Sequence, residues 1–451
     1  MKQPTLLPFT PVMPWHEDTL HLFKFGPVLT PFRYTGWRDE TTAWKDGSYL
    51  GTAISISPTY TVKGPDAKKF FMDHAVNNFQ SLKVGGIRHT IMCNDEGQII
   101  QDGVTMMIAE DEYYTCWLQP YIEYALTSGN YDAVGTDLTG KVFLFQVAGP
   151  TSLQILEAAT KENLHDIKFG KHRMSSINGH PVRILRLGMA GSLAYEVHGT
   201  MDVAEDVYNG IWKAGQDFGI KKLGQVAYMM NHTEDGFPQA NYHYPYPWYK
   251  DPKFKEFLDA RPGAGYYNMN PNLVGSVGSD LESRFVTPVD VGWENRINFK
   301  HDFRGKEALK KHVEDHKYTM VTLEWNAEDV MDVYGSQFQG RGVEPYPYIE
   351  DRPNDVYYEL GFYTYHTDWV LVGDKKVGIS SGRSVSQYYR RMISLCKLEK
   401  EYAVEGNEVI VLWGEPGKRQ KKIRAKVARF PYLDVERNSE VDVSKIPSAV
   451  K

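Results

Sequence analysis

The sequence predicts an α+β fold built from several lobes. Two patterns predict it: a strand-helix-strand-strand-strand-helix run between about residues 60 and 135, and an almost unbroken series of short strands from Tyr318 to the end. Length is the third observation. At 451 residues the chain exceeds a single core, and about 150 residues per domain gives roughly three.

Taken in order, residues 1–45 read as irregular, proline-rich wrapping. From Ser48, the text ISISPTYTVKG reads as a strand pair with Gly64-Pro65 at the turn. Over 66–78, Phe70, Phe71, His74 and Ala75 share one helical face behind an Asp cap. RHTIMCN, QIIQDGVTMMIA and EYYTCWL follow as strands divided by NDEG and AEDE turns, then a helix over 119–129. KVFLFQVAG is a strand and PTSLQILEAAT a helix with Pro150 near its first turn. PVRILRLG and LAYEVHG are strands, and VAEDVYNGIWKAGQDFG is an amphipathic helix. The stretch from 237 to about 267 is aromatic, proline-rich and too long for an ordinary connection, so it reads as a functional loop or a clamp between lobes. FRGKEALKKHVEDH is a helix. VTLEW, WVLVGDKKVG, MISLCKL, EVIVLWG and IRAKVARF, separated by Gly-rich turns, predict an antiparallel sandwich or barrel.

Composition excludes several classes. Lys+Arg 51 against Asp+Glu 57 leaves a net charge of -6, so no basic excess exists to neutralise a phosphate backbone. No apolar run reaches the ~18–20 residues of a membrane helix. MKQPTLLPFTPVMPWHED sets prolines where a signal peptide keeps a helical apolar core. Cys93, Cys116 and Cys396 form neither a disulfide framework nor a CxxC pair. Together these features predict a cytoplasmic protein. The 29 Tyr, 20 Phe and 10 Trp make up 13% of the chain, and many of them cluster.

Three short motifs invite other functions. Gly378-Ile-Ser-Ser-Gly382 fits G-x-S-x-G, but that elbow needs a strand-to-helix turn and a following His, and no His follows residue 366. His312 and His316 could share zinc at i, i+4, yet KEALKKHVEDHK has the composition of a solvated helix face, and no metal site is predicted. Asn231-His-Thr is a glycosylation sequon without a secretory context.

Seven segments carry more weight in combination: VKGPDAKKFF (62–71), CNDEGQIIQDGV (93–104), FQVAGPTSLQIL (145–156), GSLAYEVHG (191–199), TPVDVGWENRINFKHDFRGKEAL (287–309), VGISSGRS (377–384) and KVARFPYLD (426–434). In this order the chain resembles the glycine-cleavage T-protein family of folate-dependent one-carbon transferases. Aminomethyltransferases of that family carry an Arg-Asp pair leading into a Leu-Arg-Leu-Glu segment, where this chain reads GQVAYMMNHTEDGFPQ (224–239). That departure and the longer aromatic insert are similar to the tetrahydrofolate-dependent aromatic O-demethylases of the vanillate/3-O-methylgallate and syringate type. The resemblance implies a three-domain cloverleaf around a central folate channel. Its implied parts are a folate-binding lobe of 1–60 plus 141–316 with the insert 237–286, a ferredoxin-like α+β lobe of 61–140, and a C-terminal antiparallel β-barrel or jelly-roll domain of 317–451.

An aryl methyl ether has a poor leaving group, and this sets the residue chemistry. The accepting nitrogen and the methyl must be held about 3–3.5 Å apart, an acid must serve the departing phenolate, and the site must be dry and aromatic. A Tyr, with a pKa of about 10, matches the released phenol. No metal, cobalamin or oxygen is required. By resemblance the general acid falls on Tyr228. Tyr242, Tyr244 and Tyr246 are reserves able to close over the arene, and Tyr34 is another pocket candidate. Glu196 matches the acidic residue that hydrogen-bonds the pterin, since a carboxylate accepts two N–H donors. Gln146 matches a folate contact, Phe237 could stack on the pterin, and Tyr195 and Trp293 complete the folate set. Asp102 stands where the family keeps the Asp that manages the N5 proton; in methyl transfer it is either catalytic or orients folate or substrate. Arg33, Arg88 and Arg296 are candidates for a substrate carboxylate, Arg33 being taken into the substrate set. The implied partners are tetrahydrofolate and a methoxylated aromatic acid, in a monomer or small homo-oligomer. The alternatives are a sulfonium demethylase, an aminomethyltransferase, and a non-catalytic folate-binding regulator.

Overall fold

The computed structural model describes residues 21–25, 28–189, 191–240, 242–260, 270–350, 357–359 and 362–450. The first 20 residues of the expected N-terminal wrapping, and 261–269 of the aromatic stretch, lie outside the described residues. The rest of the wrapping is more ordered than its prolines suggested. His21–Phe25 and Val28–Arg33 pair as an antiparallel hairpin, followed by the short helices Trp37–Glu40 and Ala43–Asp46.

A six-stranded sheet runs in the order His172–Ile177, His180–Leu185, Ala194–Thr200, Val142–Ala148, Ser48–Gly51, Ile220–Leu223. Alternation along the strands divides its faces. Phe145, Val147, Tyr195 and Val197 pack on helices Ser152–Thr160 and Ala204–Gly215. Gln146 and Glu196, directly paired across neighbouring strands, look the other way with Leu144, Ala148 and Ala194. The expected strand around ISI is instead a 3-10 turn, Ala53–Ile56. Ser55 there bonds the backbone N–H and carbonyl of Leu144, which diverts that segment from sheet pairing.

A second sheet is wholly antiparallel, in the order Ile87–Cys93, Ile99–Ala109, Glu112–Cys116, Thr59–Lys63, Val134–Asp137. Helices Ala67–His74 and Tyr121–Ser128 cover one face through Phe70, Phe71 and Ile122. The Asp66 carboxylate does not cap its helix; it accepts from the Asp132 N–H at 3.0 Å and so holds down the approach to the last strand. Asp102 pairs with Ile91, and Val104 with His89. Gly103 lies against the backbone of Cys116 and Trp117, where a Cβ would strike the Cys116 carbonyl oxygen.

The C-terminal strands close on themselves. Phe362–Val372, Lys375–Ser386, Arg391–Glu399, Tyr318–Trp325, Lys421–Ala428 and Glu408–Trp413 pair antiparallel in that order, and Val370↔Val411 completes a six-stranded barrel. Closure leaves these strands no free edge, and Leu323, Val370, Val377, Leu398, Val411 and Ile423 fill the interior. Of the predicted sandwich, jelly-roll and barrel, the barrel forms. Helix Ala327–Ser336, capped by the Asn326 side chain, interrupts a region that read as strands. Gly378 to Gly382 lies within strand Lys375–Ser386, where Ser380 Oγ donates to Ser394 Oγ at 2.8 Å, so no nucleophile elbow exists there. His312 faces the Glu96 carbonyl and His316 the Glu294 carboxylate.

Helix Gln225–Asp235 is buried on every side, between strands Val28–Arg33 and Lys375–Ser386. It starts at Gly224, where a Cβ would collide with Phe32 and Arg33, and stops at Gly236 with φ 68°. Tyr228 lies in the first half of this helix. A helix buried all round has no apolar stripe for the eye to find. Asn231 is fully buried on it, which rules out the sequon.

Candidate active site

Where the sheets meet this helix, a slot opens between Pro58, His89, residues 101–104, Trp117, Gln119, Met189, Tyr228, His232, Phe237, Gln239, Ala240, Tyr246 and Trp248. The cavity measures about 110 Å³.

Asp102 is the most heavily bonded group in the wall. Its Oδ1 accepts from the hydroxyls of Tyr244 at 2.8 Å and Tyr246 at 2.7 Å, and its Oδ2 meets His89 Nε2 at 3.0 Å. Arg296 bonds the other ring nitrogen, Nδ1 of His89. A guanidinium has only donors, so Nδ1 must accept and the His89 proton must sit on Nε2, donated to Asp102. Burial, and then the Arg296 charge, push His89 down to about 4, so the ring stays neutral. Arg296 is held down to about 10 by burial and lies over the rings of Phe237 and Trp293, 5.6 and 5.2 Å from their centroids. These two rings are themselves 5.1 Å apart at 37°. Phe237 and Trp293, which the sequence assigned to folate, are thus joined to Asp102 through Arg296 and His89; Phe237 lines the slot.

The three loop tyrosines differ from one another. Burial and the neighbouring Asp102 push Tyr244 and Tyr246 well above the usual phenol range, and both protons are committed to that carboxylate. They are anchors of Asp102 and not reserve acids, and of the two only Tyr246 lines the slot. The Tyr242 hydroxyl reaches the carbonyls of Gly382 and Arg383 at 3.2 and 3.1 Å, outside the slot. Trp248 Nε1 donates to the Ile100 carbonyl at 2.8 Å. The segment 242–248 is therefore a strap from the barrel to the five-stranded sheet.

Tyr228 lines the slot with its ring perpendicular to His232, centroids 5.2 Å apart. Among the described residues, three acceptors buried in the same wall have no partner: Gln101 Oε1, Gln239 Oε1 and His232 Nε2. Gln101 Nε2 donates to the Trp117 carbonyl at 2.6 Å, which turns its oxygen away from that strand. Sequence reasoning missed His89, His232 and Gln239. His89 meets Arg296 only through the tertiary fold, and His232 and Gln239 carry no motif that marks them in the sequence.

The remaining expectations fall elsewhere. Glu196 and Gln146 lie on the face of the six-stranded sheet opposite its helices, and not in the wall of the slot. Glu196 Oε2 meets His198 Nε2 at 2.9 Å, and Tyr49 donates to Gln146 at 3.3 Å. Tyr195 faces the opposite, helix-packed side, because neighbouring strand residues alternate; its placement in the folate set is corrected on that ground. Tyr34 and Arg33 sit near the start of the buried helix, with Lys222 5.5 Å from the Tyr34 ring. Arg88 reaches Ser81 at 3.4 Å. None of Arg33, Arg88 and Arg296 is in the slot wall, so the expected carboxylate clamp is not assembled there.

Three lobes, one of them a closed antiparallel barrel, meet around this slot. Residues 23–243 match the GCVT N-terminal domain, and the chain belongs to the GCVT family. Sesamin methylene transferase of Sinomonas sp. (strain No.22) is 52% identical over 428 residues, 94% of each chain. Syringate O-demethylase of Sphingobium sp. (strain NBRC 103272 / SYK-6) is 31% identical, covering 94% of this chain and 95% of the other. Among solved structures, the glycine cleavage system aminomethyltransferase T from Bartonella henselae shares the fold, with TM-score 0.68 over 96% of this chain and 99% of that one at 16% identity. The chain is an enzyme of the transferase type.

Proposed function

We propose that this enzyme moves a one-carbon unit from an uncharged aryl ether to tetrahydrofolate. The methylene bridge of a methylenedioxybenzene is the preferred donor and an aromatic methyl ether the second reading. The carrying observation is the wall of the slot: aromatic faces, with three unpartnered buried acceptors beside Tyr228. A pterin edge offers the N–H donors those acceptors lack, and the aromatic faces beside them suit an arene. Because the wall presents acceptors and the Asp102 carboxylate, it suits a neutral arene better than the methoxylated acid expected from the sequence. The relative at 52% identity, named for methylene transfer from sesamin, supports the first reading; the relative at 31%, named for syringate O-demethylation, supports the second.

When bound, tetrahydrofolate supplies the nucleophilic nitrogen that accepts the carbon. Gln101 and Gln239 hold its N–H edge, Phe237 stacks against it with Arg296 and Trp293 behind, and Glu196 and Gln146 extend the site along the sheet. Tyr228 donates to the aryl oxygen as the C–O bond breaks, its pKa being matched to that of the phenol released. Asp102, with three hydroxyl or imidazole donors already on its carboxylate, positions and does not carry a proton.

The test is anaerobic incubation with tetrahydrofolate and a methylenedioxybenzene, a methoxybenzene or a methoxybenzoate, products being separated by chromatography. Catechol with 5,10-methylenetetrahydrofolate supports the first reading, and phenol with 5-methyltetrahydrofolate the second. Folate binding with no turnover of any arene refutes both.

A further inference from the structure

Each C–O bond broken in this reaction leaves one proton to be removed from the accepting nitrogen and one to be delivered to the aryl oxygen. Tyr228 accounts for the delivery. The removal needs an acceptor in the same slot, and helix Gln225–Asp235 presents one a single turn further on. His232 is 1% exposed and lines the slot. Its Nδ1 lies 3.2 Å from the Phe237 carbonyl, which can only accept. That contact fixes the proton on Nδ1 and leaves Nε2 as a bare lone pair, and Nε2 has no partner among the described residues. The Phe237 carbonyl belongs to the residue just past the helix, so the ring is braced by its own chain.

We propose that His232 Nε2 is the proton acceptor for the nitrogen that takes up the carbon, paired with Tyr228 as the donor to the aryl oxygen. This rests on the functional reading above. The step balances without a further reactant: N–H gives its proton to Nε2, Tyr228 gives its proton to the aryl oxygen, and transfer from the imidazolium to the Tyr228 phenolate restores both groups. A methyl ether takes the cycle once, and a methylene bridge takes it twice. Burial holds His232 down to about 4, so the ring waits in the neutral, accepting form, and the Asp102 charge favours the imidazolium once it forms.

Two measurements test this. The first is ¹⁵N-histidine NMR of the wild-type protein, with His232 assigned by its absence in His232→Gln. The expected result is a neutral ring protonated at Nδ1, whose Nε2 resonance moves when tetrahydrofolate alone is added. A proton on Nε2, or no movement with folate, overturns the proposal. The second compares His232→Gln, which keeps an acceptor but cannot carry a proton. Its tetrahydrofolate affinity, read by tryptophan fluorescence, stays within about threefold of wild type, while its single-turnover rate falls about 100-fold or more. Turnover within about threefold of wild type overturns the proton role. If the wild-type enzyme turns over no arene, the functional reading fails, and the folate-induced Nε2 shift still decides whether Nε2 takes a folate N–H.

Discussion

Replacing Asp102 with Asn probes the best-defined part of the site. An amide has one accepting oxygen where the carboxylate has two. If that oxygen stays with Tyr244 and Tyr246, the new NH₂ faces the Nε2–H of His89, donor against donor. His89 cannot escape by moving its proton to Nδ1, because Arg296 already donates there. If the amide turns over, two buried phenols lose their acceptor. Either orientation strands at least one buried donor, at about 1–3 kcal/mol each, and removes the charge from the bonds that survive. Asp102→Asn should therefore destabilise by about 2–4 kcal/mol, measured as the urea midpoint followed by tryptophan fluorescence. In a His89→Gln background the same substitution should cost at least about 1 kcal/mol less, because the donor conflict is gone. A loss under about 0.5 kcal/mol, or a fully additive double-mutant cycle, would refute both the assigned tautomer and the anchoring role.

Other substitutions separate the remaining roles. Tyr228→Phe should lower turnover about 100-fold or more at nearly unchanged tetrahydrofolate affinity; a change in affinity alone would make Tyr228 a wall residue. Glu196→Gln should raise the tetrahydrofolate Kd about tenfold, about 1.4 kcal/mol, in a fluorescence titration. An unchanged Kd would leave Glu196 as a partner of His198 only. Burial pushes both Glu234 and Asp235 up to about 7, against the bonds from Ser386 and Trp44 on the first and the attraction of Arg437 on the second. Their folded-state values exceed the unfolded 4.5 and 3.8, so their contribution to stability is full below about pH 4 and is lost as pH rises through about 7. Glu234→Gln should accordingly raise the melting midpoint at pH 8 and change it little at pH 5. Equal shifts at both pH values would contradict the assignment.

Much of the fold could be read from period and punctuation. Barrel strands Glu408–Trp413 and Lys421–Ala428 alternate because one face is sealed inside, whereas KVFLFQVAG reads as a strand by being a short apolar run, buried on both faces. What escaped notice had no such asymmetry. QVAYMMNHTED is buried on all sides, so its helix left no stripe, and Tyr228 and His232 were separated from their common face. The aromatic loop announced that it mattered, but not that two of its hydroxyls serve Asp102. Neither partner marks the contact between His89 and Arg296, 207 residues apart. Tyr195 was a local error that period-2 geometry already forbade: with Glu196 turned inward, its neighbour had to face the helices.

The strap over 242–248 has a consequence for how such an enzyme diversifies. It ties the barrel to the five-stranded sheet through Tyr242 at one end and Tyr244, Tyr246 and Trp248 at the other, so its side chains set the gauge of the slot. Tyr228 and His232 stand on a separate helix. On the proposed mechanism, the residues that set the slot's width and those that move protons stand on separate elements. Changes at Trp248 would then alter the width of the slot without touching the helix that carries Tyr228 and His232.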